Sequence, residues 1–340
     1  MKEQINKFCE KYNLGSPSEE PVMVTGGLMH KMYRVITGQG QYAIKVLNPD
    51  IMQRPDALQN MINSEKISNE LKEVVSLIAA KSLDGKHIIE FEGYYYLVFD
   101  WLEGRAVFAP KITVEYCRQI GSALGKIHAA GISIPGIKKE ENSRKTYDWK
   151  MFSEKAEKEK EECFRLFTDN LPNIIKWDND VTESQKELLK NQVISHRDLD
   201  PKNVMWKDSL AYIIDWEAAG YVNPYQELVE VLNYWITDGE GKYDRRKFDV
   251  IMQAYAEHMN IGSVNWEAVL KCSFDGMLGW LEYNLKRSLG LEGSSSLDKQ
   301  EGRQQVAGTI NELIRYQKQT DILRRWIEEF TENESKRDSI

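Results

Sequence analysis

Residues 195–203 read SHRDLDPKN, and residues 213–217 read IIDWE. These two segments place Asp198, Asn203 and Asp215 within a short stretch of chain, and Asp215 follows an apolar run that predicts a strand. Phosphoryl transfer needs a carboxylate that accepts a hydroxyl proton, and it needs oxygen ligands that hold Mg²⁺ against nucleotide phosphates. The three side chains fit that chemistry. The alternative is a turn beside an aspartate that caps a helix.

A predicted strand at residues 42–47 supports the interpretation of these residues as a phosphoryl-transfer site. Alternation along a strand places Ala43 and Lys45 on the same face, where a small residue and a lysine suit an adenine ring and its phosphates. The alternative is a lysine on the surface of an edge strand. Upstream, Gly26 and Gly27 lie in a strand connection whose backbone N–H groups can cover phosphates, although a plain hairpin has the same composition.

The two parts of the chain differ in their hydrophobic periodicity, which changes near residue 100. The first hundred residues predict strands with one interposed helix: 22–24, 33–37, 42–47, a helix at 56–81, 87–91 and 94–99. Nearly everything beyond predicts helix, apart from a small hairpin at residues 203–214. A capping box at residues 182–185 predicts the start of a further helix. The sequence therefore predicts an α+β protein with a five-stranded antiparallel sheet.

Composition excludes several functional classes. The 340 residues carry 45 lysines and arginines against 53 aspartates and glutamates, a net charge of −8, which disfavours nucleic-acid binding. No apolar run is long enough to span a bilayer, and the N-terminal residues have no signal core. Four cysteines, at positions 9, 117, 163 and 272, have no metal-binding spacing and predict reduced, buried thiols in a cytoplasmic protein. The oligomeric state stays open.

The order of these features resembles the aminoglycoside phosphotransferase and choline kinase family over roughly residues 20–290. Members are small-molecule kinases with a protein-kinase-like fold. The resemblance implies a nucleotide-binding lobe at residues 1–99, a hinge at 100–104 and a largely helical lobe at 105–340. It also implies a substrate-binding insertion at about residues 138–191.

The same resemblance implies roles for the residues of the catalytic motif. Asp198 would be the catalytic base, and Asn203 and Asp215 would coordinate Mg²⁺. The motif departs from the usual pattern in two places. Arg197 stands where many members have glycine, and Asp200 stands where antibiotic kinases often have histidine and protein kinases have lysine. Asp200 thereby removes a cation that helps the transferred phosphate.

For the nucleotide, the resemblance implies that Lys45 contacts the α- and β-phosphates and pairs with a helix glutamate. Glu65 is the first candidate for that pair, and Glu70 is the alternative. The hinge would bind adenine through backbone groups, with an aromatic side chain behind them: Asp100, Leu102 and Phe99. ATP is the expected nucleotide, and GTP is not excluded.

The acceptor is predicted to be a small and cationic molecule with a hydroxyl group. Acidic and aromatic residues are interspersed from residue 215 to residue 287, which suits an aminosugar or a choline-like ammonium, although ordinary helix surfaces have a similar composition. Glu217 and Glu230 are the candidates for the acceptor pocket. Glu227 is expected to support the catalytic loop.

Three other interpretations compete with an antibiotic kinase. A protein kinase is disfavoured, because no Asp-Phe-Gly follows at residue 215 and no Ala-Pro-Glu lies downstream. A choline, homoserine or sugar kinase of the same fold is an alternative. A catalytically silent, spore-coat-type structural protein is another, although Lys45, Asp198, Asn203 and Asp215 are all present.

Overall fold

The computed structural model describes residues 1–24, 30–159, 161–292 and 295–337. The sheet-bearing part comprises α1 (Lys2–Lys11), β1 (Val22–Val24), β2 (Lys31–Thr37), β3 (Gly40–Val46), α2 (Pro49–Met52), α3 (Ala57–Leu71), β4 (Ile89–Phe91) and β5 (Tyr94–Asp100). The helical part begins with α4 (Val114–Ala129), α5 (Trp149–Ala156) and α6 (Glu162–Leu188). It continues with β6 (Val193–Ser195), β7 (Val204–Lys207), β8 (Leu210–Ile213) and β9 (Gly220–Val222). It ends with α7 (Pro224–Trp235), α8 (Arg245–Ala256), α9 (Trp266–Cys272), α10 (Asp275–Ser288) and α11 (Ser296–Arg337).

The predicted five-stranded antiparallel sheet is confirmed, with strand order β1-β2-β3-β5-β4. On β3, Tyr42, Ile44 and Val46 are buried in one core with the apolar side of α1. Ala43 and Lys45 point to the opposite face, as alternation predicts. The sheet is therefore covered on one side by its own helix and presents Lys45 on the other.

The main helix of this lobe is shorter than predicted. The periodicity predicts a helix over residues 56–81, but α3 ends at Leu71. The following segment is extended and bonds to the helical lobe instead, because the backbone N–H of Ile78 donates to the carbonyl of Ile213 at 3.0 Å and that of Ile213 to Ser76 at 3.0 Å. These contacts connect the two lobes two residues before Asp215.

The helical lobe has two buried cores. One lies among α4, α7 and α8 beneath the catalytic loop, and the other joins α5, α6, α10 and α11. Helices α4 and α8 approach very closely, since a Cβ added to Gly121 would lie 2.5 Å from the carbonyl oxygen of Ile251. The predicted helix start at residue 182 is wrong: Thr182 lies inside α6, where its hydroxyl donates to the carbonyl of Asp178.

Two predictions from composition can be compared with the structure. All four cysteines are free and buried. Within the described ranges, every helix is too short or too polar to cross a bilayer.

Candidate active site

The catalytic loop connects β6 to a single turn of 3₁₀ helix at Pro201–Asn203. The carboxylate of Asp200 accepts a hydrogen bond from the backbone N–H of Lys202 at 2.8 Å, so it caps this turn. Arg197 has a φ of 66°, in the left-handed region, which reverses the chain directly before Asp198. The loop thus holds Asp198 and Asn203 close together.

Asp198 and Asn203 are in direct contact. The Nδ2 of Asn203 donates to Asp198 Oδ2 at 2.9 Å and to the Asp198 carbonyl at 2.8 Å. Because its amide nitrogen is committed, Asn203 has its amide oxygen left for a cation. Asp198 is 34% exposed, and its Oδ2 also lies 3.2 Å from the ammonium of Lys202.

Asp215 joins the same group of residues. It has a φ of 62°, directly after the predicted hairpin, which the structure confirms as β7 and β8. The backbone N–H of the preceding Ile214 donates to the Asn203 carbonyl at 2.9 Å. His196, fully buried, lies 3.0 Å through Nε2 from the Ile214 carbonyl, and burial holds its pKa below the usual value. Neutral His196 therefore braces the loop against the segment that carries Asp215.

Lys45 reaches these residues from the other lobe. Its ammonium lies 3.1 Å from Asp215 Oδ1 and contacts the carboxylate of Glu217 even more closely. Burial favours the neutral amine, but the negative charges of Asp215 and Glu217 outweigh it and raise the pKa of Lys45. Lys45 is therefore a charged ammonium in the cleft.

The partner of Lys45 differs from the expected one. Glu65 was the candidate, but its carboxylate accepts the backbone N–H of Ala80 at 3.1 Å and lies 3.4 Å from the Ser68 hydroxyl. Within the residues that the structure describes, Glu65 and Lys45 form no ion pair. Burial raises the pKa of Glu65. The prediction of this pair is wrong, because the segment after α3 is extended and brings the N–H of Ala80 to the carboxylate.

Glu217 lies beside Lys45 and His30. A short 3₁₀ turn at Trp216–Ala218 follows Asp215 and directs Glu217 towards the sheet lobe, where its Oε2 lies 3.3 Å from His30 Nε2. Burial opposes its ionisation, but His30 and Lys45 together lower the pKa of Glu217 to about 2. Glu217 is thus the carboxylate that pairs with Lys45. Its place in an acceptor pocket stays a prediction.

Glu230 lies on α7, the helix that also carries Tyr234 one turn later. Burial and the negative charge of Glu227 raise the pKa of Glu230 to about 8. Burial and then the charges of Glu230, Asp198 and Asp200 raise the pKa of Tyr234 to about 12. Glu230 and Tyr234 therefore lie near the acidic residues of the catalytic loop.

The exit from β5 contains the groups expected to bind adenine. Phe99 is opposite Ala43 in the strand register. The backbone N–H of Trp101 donates to Gln41 on β3 at 2.9 Å, and backbone groups alternate in direction along a strand. The backbone groups of Asp100, the last residue of β5, therefore point away from β3. Leu102 follows the strand, and its carbonyl accepts the backbone N–H of Gly104 at 3.0 Å. Gly26 and Gly27 lie outside the described residues.

A buried network lies beneath the loop. Glu227 is fully buried, accepts the backbone N–H of Arg197 at 2.6 Å and lies 2.8 Å from His128 Nε2. His128 Nδ1 contacts the hydroxyl of Tyr255 at 2.9 Å. Burial alone would raise the pKa of Glu227, but its hydrogen bonds with His128 and Ser195 and with the Arg197 N–H hold it below the usual range.

Sequence reasoning missed two contacts of the site. One is made by His30, which lies against Glu217 and whose Nδ1 accepts the backbone N–H of Asn48 at 3.0 Å. The contact of Lys202 with Asp198 was not expected either, although a spacing of four residues in a tight turn was a signal for it.

The oxygen donors of this cleft fit Mg²⁺. Proteins commonly bind that ion through one or two carboxylates and substrate phosphates rather than through a complete protein cage. In keeping with this, the described part of the chain contains no group of three His, Cys, Asp or Glu residues suited to a metal. The amide oxygen of Asn203 and the carboxylate of Asp215 are the donors that the site offers.

Comparison with known proteins shows the family to which the chain belongs. Residues 23–258 match the family model APH, described as the phosphotransferase enzyme family. This protein belongs to that family. Its fold is the two-lobed, protein-kinase-like fold of structures such as spectinomycin phosphotransferase APH(9)-Ia in complex with ADP and spectinomycin. That match has a TM-score of 0.63 at 14% identity and covers 91% of this chain and 97% of the other.

Other members of the fold act on different small molecules. A microcompartment-associated aminopropanol kinase matches with a TM-score of 0.62 at 13% identity, over 93% of this chain and 98% of that one. Choline kinase from Cryptosporidium parvum matches with a TM-score of 0.58 at 13% identity, over 96% and 99%. At these identities the likeness shows the fold alone.

Curated relatives are more similar in sequence but over shorter stretches. Homoserine kinase of Rhizobium meliloti is 26% identical over 187 residues, which is 55% of each protein. Homoserine kinase of Methylobacterium radiotolerans is 27% identical over 164 residues, 46% of this chain and 47% of the relative. The chain thus spans about half the length of the curated relatives it matches.

Proposed function

We propose that this family member is an ATP-dependent kinase that phosphorylates a hydroxyl group of a small cationic molecule. The main support is the distance of 3.1 Å between the Lys45 ammonium and Asp215 Oδ1, across 170 residues of sequence. Asp215 is linked through Ile214 to Asn203, which contacts Asp198. A cation, two carboxylates and an amide oxygen thus share one cleft, and this combination suits phosphoryl transfer.

In this proposal the sheet lobe (1–99) and the segment at 100–104 bind the purine. The backbone groups of Asp100 and the backbone N–H of Leu102 hold its edge, and Ala43 and Phe99 lie beside the ring. Lys45 exchanges a carboxylate partner for phosphate oxygens. Backbone recognition of this kind accommodates ATP, and it also leaves room for GTP.

The helical lobe carries the chemistry. Asn203 and Asp215 would hold Mg²⁺, which neutralises phosphate charge when it is bound. Asp198 orients the acceptor hydroxyl and takes its proton through Oδ1, because Oδ2 is occupied by Asn203 and Lys202. Among the described residues, no hydrogen bond reaches Oδ1.

A cationic acceptor is supported by Glu230. This carboxyl forms no ion pair with any described residue, and its pKa is raised to about 8 by burial and by Glu227. An ammonium bound nearby would stabilise the ionised form and lower that pKa. Homoserine, choline and aminopropanol, which the relatives and neighbours are named for, each combine a hydroxyl group with a nitrogen group.

The proposal is tested by nucleoside-diphosphate release with Mg²⁺ and ATP or GTP across a panel of acceptors. The panel contains homoserine, choline, aminopropanol, aminoglycosides and neutral sugars. We expect release with an amino- or ammonium-bearing alcohol, and a loss of about 10²–10⁴-fold in kcat for Asp198→Asn with unchanged nucleotide affinity. A protein that binds no nucleotide would support the silent, structural alternative, and turnover only with neutral sugars would contradict the cationic acceptor.

A further inference from the structure

Asp200 lies two residues after Asp198 in the catalytic loop, and its carboxylate accepts the backbone N–H of Lys202. Asp200 therefore stabilises the turn and adds negative charge near Asp198. The transferred phosphoryl group nevertheless requires positive charge, because charge spreads over its three oxygens in the transition state.

Lys202 brings an ammonium to the catalytic carboxylate from the next turn of the loop. Its Nζ lies 3.2 Å from Asp198 Oδ2, the same oxygen that accepts Asn203 Nδ2 at 2.9 Å. The two donors thus hold one oxygen of Asp198. The Lys202 side chain is 56% exposed, so its ammonium can leave Asp198 without losing a buried contact.

The surrounding charges make this ammonium distinctive. Glu230 and Asp200 are close enough, with Asp198, to raise the pKa of Tyr234. Lys45 is held by Asp215 and Glu217 on the nucleotide side. Within the described ranges, Lys202 is the residue that forms an ion pair with Asp198.

We propose that Lys202 is a catalytic residue whose ammonium stabilises the phosphoryl group during its transfer. The inference rests on the proposed kinase function. Asp198 Oδ1 takes the hydroxyl proton as the acceptor oxygen bonds to the terminal phosphorus, while the bond from phosphorus to the bridging oxygen breaks and its electron pair leaves on the nucleoside diphosphate. Lys202 keeps its proton and contributes charge alone.

If Lys202 had a purely structural role, its substitution would have only a small effect on stability and on the reaction rate. Exposed ion pairs at a spacing of four residues contribute little to stability, because solvent screens them and the long side chain loses freedom. The chain offers a matched control in Lys7, whose ammonium lies 3.2 Å from Glu3 at the same spacing and whose side chain is 53% exposed.

The experiment compares Lys202→Ala, Lys202→Arg and Lys7→Ala with the wild type. Binding of Mg²⁺ with the ATP analogue AMP-PNP reports the ground state. Binding of Mg²⁺ and ADP with fluoroaluminate reports a mimic of the transferring phosphoryl group, and slow ATP hydrolysis to water reports the rate. We expect Lys202→Ala to keep its AMP-PNP affinity and to lose about 10²–10³-fold in fluoroaluminate-dependent affinity and in rate. Lys202→Arg should recover most of both, and Lys7→Ala should match the wild type.

The outcomes separate this inference from the proposed function. Wild-type fluoroaluminate affinity in Lys202→Ala overturns the role of Lys202 and leaves the kinase proposal standing. A parallel loss of AMP-PNP affinity, fluoroaluminate affinity and thermal stability also overturns it, because the residue would then act through folding. A wild-type protein that fails to bind AMP-PNP with Mg²⁺ removes both proposals.

Discussion

The catalytic loop and the lysine side of the cleft hold their charged groups in opposite ways. Beneath the loop, Glu227 is 1% exposed and contacts His128 and the backbone of Arg197. Across the cleft, Lys45 contacts Asp215 and Glu217, whose side chains are 44% and 29% exposed. The buried network fixes the backbone that carries Asp198. The carboxylates around Lys45 stay accessible, so that lysine can exchange them for phosphate oxygens.

The proposed reaction needs a rigid backbone beneath the catalytic loop and freedom of movement beside Lys45. A base must stand at a fixed distance from the hydroxyl that it serves, because small displacements reduce the rate strongly. A lysine that binds phosphate must change partners in each cycle. We therefore expect substitutions beneath the loop to cost more folding stability than substitutions beside Lys45.

The largest loss is expected for Glu227→Gln. The amide oxygen of the new side chain can still accept the N–H of Arg197. Its amide nitrogen, however, faces His128 Nε2. Both nitrogens are donors when Tyr255 donates to His128 Nδ1, so the contact is lost. Losing a buried hydrogen bond to a charged carboxylate costs about 1.5–3 kcal/mol. Urea unfolding should show a lower midpoint with an unchanged slope.

The pH dependence of Glu227 gives a second readout of the same contact. Its pKa in the folded protein lies below the usual range, so its stabilising contribution is complete above the unfolded pKa of about 4.3 and is lost as the pH falls below it. Glu227→Gln should therefore differ from the wild type by the same amount at neutral and mildly acidic pH. A variant as stable as the wild type at pH 7 would contradict the anchoring role.

An intermediate loss is expected for Gly121→Ala, which separates the helices that carry His128 and Tyr255. The added Cβ would lie 2.5 Å from the carbonyl oxygen of Ile251, a backbone atom that cannot move away alone. Such overpacking costs about 1–3 kcal/mol. Gly308→Ala is the control, because its added Cβ meets nothing within 4 Å, and equal stability of both variants would argue against a tight helix contact.

Much of this architecture could be predicted from the sequence, because local patterns determine it. Alternation on β3 placed Ala43 and Lys45 on one face, and the turn residues marked the strands of the sheet. The end of α3 could not be predicted, since residues beyond Leu71 continue the helical period and become extended only by bonding to Ile213. At this point, contacts between the lobes override the helix propensity of the sequence.

The carboxylate partner of Lys45 was unpredictable for the same reason. Glu65 lies on the main helix of the same lobe, whereas Glu217 is 172 residues away and reaches Lys45 only once the lobes pack together. Nothing in the spacing of either residue reveals which one makes the contact. The assignment of site roles to these residues stays a prediction until binding and activity are measured.

The smallest loss is expected for Glu217→Gln, which tests the accessible side of the comparison. Lys45 keeps Asp215 as a partner, and the Glu217 side chain is partly exposed, so the free energy of unfolding should fall by less than in Glu227→Gln at neutral pH. The folded pKa of Glu217 is about 2, so this contribution is present above the unfolded pKa of about 4.3 and disappears as the pH falls towards 2. Urea unfolding at about pH 7, 5 and 3.5 should therefore show an equal difference at the first two values and a smaller one at the third. A loss as large as that of Glu227→Gln would mean that Glu217 is as fixed as the loop, and Lys45 would then not be free to exchange its partners.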